Sequence, residues 1–179
     1  MIKNTEKCKL ALAFARKKHQ GQMRHGGEEY ITHPMAVAEI LYKKDLPDEY
    51  ILAALFHDLL EDTDATEEEI SALGGEDVLL AVKLLTKEKG YSMSDYIEGI
   101  KKNPLAREVK AADRLHNLIC ARESREDFRL RYLKDSIDWY LDLSPEIPVA
   151  AEALRQTLTS TETLSEEYLT KLKKYLKNN

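Results

Sequence analysis

The feature that most narrows the fold is a period. Along nearly the whole chain apolar residues recur three and four positions apart, and nowhere do they alternate convincingly over a strand's length. That pattern predicts an all-α chain. Start and stop signals divide it into about eight to ten helices. Lys7 to His19 carries apolar Cys8, Leu10, Ala11, Leu12, Phe14 and Ala15, a basic end, and Gly21 as its stop. Gln20 to Tyr30, rich in glycine, reads as a short hairpin or an irregular lid. Thr32-His33-Pro34 opens the next helix, with Pro34 expected first and His33 at or beside the N-cap. Leu46-Pro47-Asp48 opens the helix that carries His57 and Asp58, and Thr66 with Glu69 makes a capping box for a helix ended by Gly74-Gly75. Further helices are expected over 76–86, 94–102, 104–122, 126–143 and 145–157, with Asn103-Pro104 as an N-cap and first-turn proline. Residues 1–160 are read as one domain. Residues 161–179 are read as a terminal amphipathic helix, packed on that domain or on a partner subunit, so a homo-oligomer stays open.

Composition removes several classes. At 179 residues, 43% hydrophobic and 33% charged, the chain can bury a full core without staples. Its longest apolar run, Ile51 to Phe56, is far too short to span a bilayer. The first residues lack the apolar stretch of a secretory signal, and Cys8 and Cys120, far apart, read as reduced core or near-core thiols. A cytoplasmic location is expected, with no membrane partner. A net charge of −5 argues against a general nucleic-acid binder and leaves a phosphorylated small molecule open.

Chemistry concentrates in Ala54 to Thr63. On a wheel with His57 at zero, Glu61 falls near ~40°, Asp58 near ~100° and Asp62 near ~140°, while Leu52, Leu55, Phe56, Leu59 and Leu60 fill the rest. By itself that is an amphipathic helix with either a solvated acidic face or a site. On 104–122 Asp113 lies at the edge of the apolar seam, where a carboxylate is costly unless it forms a salt bridge or binds a cation. Lys110 and Arg114 are read as pointing further toward solvent. His33, His57, Asp58 and Asp113 make a nitrogen–oxygen ligand set suited to Mn²⁺, Fe²⁺ or Zn²⁺, with coordination positions left for water and substrate. Glu61 and Asp62, one turn on, are placed to handle protons. Arg24 offers a charged planar fork for a base or phosphate, or is an exposed loop arginine. His19, His25 and His116 read as structural or surface groups, and Trp139 as core.

Five blocks then carry a resemblance. Gly21-Gln22-Met23-Arg24, Tyr30-Ile31-Thr32-His33-Pro34, His57-Asp58-Leu59-Leu60-Glu61-Asp62-Thr63, Thr86-Lys87 and Ala112-Asp113-Arg114-Leu115-His116-Asn117 together resemble the hydrolase domain of RelA/SpoT-type enzymes, within the HD phosphohydrolase superfamily. In single-domain form this is similar to a small alarmone hydrolase. The resemblance implies an HD-type all-α bundle holding Mn²⁺ through His33, His57, Asp58 and Asp113. It implies hydrolysis of guanosine 3′,5′-bis(diphosphate), ppGpp or pppGpp, to GDP or GTP and pyrophosphate. Glu61 and Asp62 would assist the attacking water and leaving group, and Arg24, Asn117 and, by a looser match, Tyr132 would bind the nucleotide. The chain departs from the family in having His25 where lysine is common and Glu29 where proline is common. No room remains for a synthetase domain, so alarmone synthesis is not expected. The alternatives are another nucleotide as substrate, a mononucleotide or a phosphorylated dinucleotide, and a non-catalytic metal- or nucleotide-binding module.

Overall fold

Six consecutive residues, Ile51 to Phe56, are each fully shielded from solvent. A helix apolar on every side belongs at the centre of a bundle. In the computed structural model, which describes residues 4–24, 26–159 and 164–177, that is where α3 (Asp48–Phe56) lies. It is packed by α1 (Glu6–Lys18), α2 (Thr32–Lys43), α5 (Glu67–Gly74) and α6 (Glu76–Leu85). Burying each of Leu52, Leu55 and Phe56 contributes about 1.5–3 kcal/mol. The described residues form eleven helices, the others being α4 (Leu59–Asp62), α7 (Met93–Lys102), α8 (Pro104–Ala121), α9 (Glu126–Trp139), α10 (Glu146–Arg155) and α11 (Glu166–Lys177). The all-α expectation holds: among those residues the extended pairing is one isolated bridge, Met23 with Glu29.

Two compact units divide the chain, Met1–Asp113 and Arg114–Asn179. In the second, α9, α10 and α11 pack on one another around Leu133, Ile137, Ile147, Leu154 and Leu172. Tyr168 on α11 donates its hydroxyl to Asp138 at 2.8 Å. The 160/161 boundary read from the sequence and His25 lie outside the described residues. No helix among those described is long and apolar enough to cross a membrane.

The caps expected at α5 and α8 are formed. Thr66 and Glu69 close the capping box of α5, and the Asn103 side chain accepts from the Ala106 N–H at the start of α8. Where expectation and structure differ, side chains explain it. The helix expected to run through His57 and Asp58 stops at Phe56. The His57 ring donates from Nδ1 to the Ala54 carbonyl at 2.7 Å, an acceptor that an unbroken helix gives to the amide four residues on. Asp58 then adopts φ −104°, ψ 0°, between the main basins, before α4 resumes. Helix α2 begins at Thr32, so His33 is its second residue and Pro34 its third. The proline costs no bond there, since first-turn amides have no helical partner. Helix α9 ends at Trp139 rather than Leu143. Trp139 is 37% exposed rather than core, and Cys120 is also exposed.

Candidate metal centre

Three segments of the first unit converge on one point. The N-terminus of α2 presents His33, the turn between α3 and α4 presents His57 and Asp58, and α8 presents Asp113. His33 Nε2 lies 3.1 Å from Asp113 Oδ1 and 3.8 Å from Asp58 Oδ2. His57 Nε2 lies 3.1 Å from Asp58 Oδ2 and 4.0 Å from Asp113 Oδ1. Both imidazoles and Asp113 are buried, and Asp58 is half-buried. One ligand atom each from His33, His57 and Asp58 falls within a sphere of mutual distances no greater than 4.8 Å, close enough to share an ion.

The donor chemistry fits a divalent cation. Because the Ala54 carbonyl takes the hydrogen on His57 Nδ1, Nε2 is the nitrogen that faces the carboxylates, where it can carry a proton or bind an ion. That nitrogen is buried, and its close polar neighbours are the carboxylates of the site, Asp58 Oδ2 at 3.1 Å and Asp113 Oδ1 at 4.0 Å. Burial alone would push His57 down, but the adjoining Asp58 and then Asp113 outweigh it and raise its pKa to about 9. Burial likewise opposes ionisation of both carboxyls. His57 overrides it for Asp58, and Lys110 with His33 overrides it for Asp113, so both are held below the usual carboxylate range. The pocket therefore demands positive charge, from a proton on His57 or from a metal in its place.

Lys110 and Arg114, expected toward solvent, are both buried. Lys110 Nζ donates to Asp113 Oδ2 at 2.8 Å and lies 5.8 Å from the Tyr96 ring. Of the two fates the sequence allowed for Asp113, the salt bridge is formed through Oδ2, while Oδ1 faces the histidines. The i, i+3 spacing of the pair was the available signal. Two other residues escaped the sequence reading. The Tyr30 hydroxyl lies 2.7 Å from Asp58 Oδ2 and 3.1 Å from Asp62 Oδ2. Burial first, and then Asp58, push the Tyr30 phenol up, so it stays a donor. The Gln22 carboxamide donates to the Asp62 carbonyl at 2.6 Å. Both contacts are tertiary, and no local spacing reveals them.

Glu61 and Asp62 occupy α4, one turn past His57 and Asp58, and both are exposed. Glu61 Oε2 accepts the Lys87 N–H at 3.2 Å, which brings the Thr86-Lys87 segment beside α4. Arg24, half-buried, sits in a small hairpin in which its N–H donates to the Glu28 carbonyl at 2.8 Å and Tyr30 N–H to the Gln22 carbonyl at 2.9 Å. Of the two forms expected for that loop, the hairpin is the one adopted. Asn117 and Tyr132 belong to the second unit, both half-buried, and Tyr132 lies under the Arg114 guanidinium with 4.3 Å between carbon and ring centre.

A helical bundle with His-Asp in a turn beside a second histidine and a distant aspartate is the arrangement of one metal-binding class. The HD domain family model matches residues 11–144, and the chain belongs to that family. Among curated proteins, it is 36% identical over 147 residues to the guanosine-3′,5′-bis(diphosphate) 3′-pyrophosphohydrolase of Haemophilus influenzae, covering 76% of this chain and 22% of that protein. It is 38% identical over 145 residues to the GTP pyrophosphokinase Rsh of Brucella melitensis, covering 75% of this chain and 19% of that protein. The chain thus spans about a fifth of the length of these relatives. Among solved structures, a metazoan ortholog of SpoT described as hydrolysing ppGpp matches with a TM-score of 0.65 at 25% identity, over 99% of this chain and 98% of that one.

Proposed function

We propose that the chain is a metal-dependent phosphohydrolase that cleaves guanosine 3′,5′-bis(diphosphate), ppGpp or pppGpp, to GDP or GTP and pyrophosphate. The observation that carries it is the convergence of His33, His57, Asp58 and Asp113, with ligand atoms of the two imidazoles and Asp58 close enough to share one ion and Asp113 Oδ1 3.1 Å from His33. Similarity to relatives that act on this nucleotide supports the choice of substrate. His33, His57, Asp58 and Asp113 would hold the ion. Mn²⁺ is favoured by the two carboxylates, with Fe²⁺ or Zn²⁺ as alternatives. When bound, such an ion supplies Lewis acidity and offsets the charge of a pyrophosphate ester.

The remaining steps fall to side chains. Water attacks the phosphorus joined to the ribose 3′ oxygen, and the bond between them breaks. Asp62 and Glu61 take the proton from that water and return one to the departing 3′ oxygen. Glu61 is held in place by the Lys87 N–H. Arg24, Asn117 and Tyr132 would contact the nucleotide. Glu29, the acid that replaces the usual proline, lies 3.8 Å from Arg16, which offsets its charge.

The test is turnover by Mn²⁺-loaded protein of guanosine tetraphosphate, mononucleotides and phosphorylated dinucleotides, with Asp58→Ala as control. Release of pyrophosphate from the tetraphosphate, abolished in the variant, is expected. Turnover of a mononucleotide alone would refute the substrate while leaving the metal site standing. No turnover of any would refute the enzyme.

A further inference from the structure

Two acidic oxygens, Asp58 Oδ2 and Asp62 Oδ2, lie within hydrogen-bond reach of one hydroxyl, that of Tyr30. A phenol carries a single hydrogen. Donated to Asp58, it leaves Asp62 with its lone pairs uncommitted; donated to Asp62, it leaves Asp58 free. Without that hydrogen the two carboxylates would repel each other across the same space. The Asp58 oxygen involved is also the one 3.1 Å from His57 Nε2, the atom facing the ion position.

The rest of the hairpin reinforces the tie. Tyr30 is anchored by its N–H to the Gln22 carbonyl, and its ring lies 4.8 Å from that of His19. His19 Nδ1 donates to Gln22 Oε1 at 2.7 Å, which turns the other end of the carboxamide toward the Asp62 carbonyl. Asp62 is therefore held by main chain through Gln22 and by side chain through Tyr30. It needs both, because α4 has four residues and such a helix has little stability of its own.

We propose that Tyr30 is a positioning residue, whose hydroxyl sets the spacing between the metal-holding carboxylate of Asp58 and the proton-handling carboxylate of Asp62. This rests on the proposed roles of those two aspartates. Through Asp58 it acts on the ion; through Asp62 it acts on the chemical step. Groups that hydrogen-bond to metal-ligating carboxylates characteristically change affinity or activity by ten- to a hundredfold when removed.

The experiment uses Tyr30→Phe, which keeps the ring and removes only the hydroxyl. Calorimetric titration with Mn²⁺ should show its Kd raised about tenfold. Toward guanosine tetraphosphate kcat should fall about tenfold, with KM within about twofold of wild type. Melting of the metal-free protein should fall by only about 3–10 °C, the loss of one hydrogen bond to a carboxylate, with the transition still cooperative, a result that separates positioning from general loss of structure. In an Asp62→Asn background Tyr30→Phe should lower kcat no further, because the route through Asp62 is already cut. Wild-type Mn²⁺ affinity in Tyr30→Phe, or a full kcat loss persisting in the Asp62→Asn background, overturns the proposal and leaves the hydrolase reading intact. Failure of the wild-type protein itself to bind Mn²⁺ overturns the metal reading instead, and this proposal with it.

Discussion

Asp113 and Arg114 are consecutive on α8, and both are buried, but their charges are met in opposite ways. Around Asp113 gather a second carboxylate, Asp58, two imidazoles and Lys110, with His57 Nε2 turned toward both carboxylates. The Arg114 guanidinium lies 2.9 Å from Asp135, 3.3 Å from the Ser136 hydroxyl, and 3.7 and 4.3 Å from the ring centres of Tyr140 and Tyr132. A delocalised cation on aromatic faces beside one carboxylate is balanced by its own unit. The first cluster sets two carboxylates against Lys110 alone unless His57 carries a proton or an ion takes that proton's place. A buried charge met by fixed side chains holds structure, whereas one whose last balancing charge is a proton has a place that a cation can take.

The largest effects should follow from removing what makes the first cluster a receiver. Asp58→Ala deletes one carboxylate and the nearer of the two acceptors of Tyr30 together. Elemental analysis after dialysis against Mn²⁺ is expected to drop from about one equivalent per chain to background, and hydrolysis to fall below detection. Metal retained in full would break the contrast. Next in size, Asp62→Asn and Glu61→Gln should each lower kcat about 10²–10⁴-fold with the metal still bound. Loss of metal in either would make it a ligand rather than a proton carrier.

How much of this could be read beforehand depends on how local the cause was. The buried helix announced itself in the run Ile51 to Phe56, and the caps at Thr66 and Asn103 are contacts within three residues. His33, His57, Asp58 and Asp113 were picked out by residue type and spacing, and the structure brings them together. The break at His57 was not legible, because a helical wheel assumes an unbroken helix, and the ring-to-carbonyl bond that ends α3 is no propensity. Lys110 was misread for a different reason. Lysine is rarely buried without a partner, and its partner was itself classed as a ligand rather than an ion-pair acceptor. Tyr30 lay in plain view within a motif, yet its bond to Asp62 crosses 32 residues.

The same imbalance should be visible in stability. An ion that binds only the folded chain stabilises it by about 2.7 kcal/mol at a hundred times Kd. For a chain of this size that is a rise in Tm of about 5–10 °C over the protein in chelator. Differential scanning calorimetry should show the rise in wild type and none in Asp58→Ala. A rise of equal size in both would place the stabilising ion elsewhere.

The smallest expected effect tests the balanced cluster. Arg114→Met keeps the length and apolar stem of the side chain while removing its charge. Lost are stacking on Tyr140 and Tyr132, about 0.5–2 kcal/mol, and the pair with the partly exposed Asp135, about 0–1 kcal/mol. Denaturant unfolding should therefore report a loss of about 0.5–3 kcal/mol. Mn²⁺ affinity should stay within about twofold of wild type, because the charge on Arg114 is met by side chains other than the ligands. The adjacency of the two residues makes this demanding. If Arg114→Met weakens Mn²⁺ binding tenfold with little loss of stability, then Arg114 positions Asp113, and the two charges form one device.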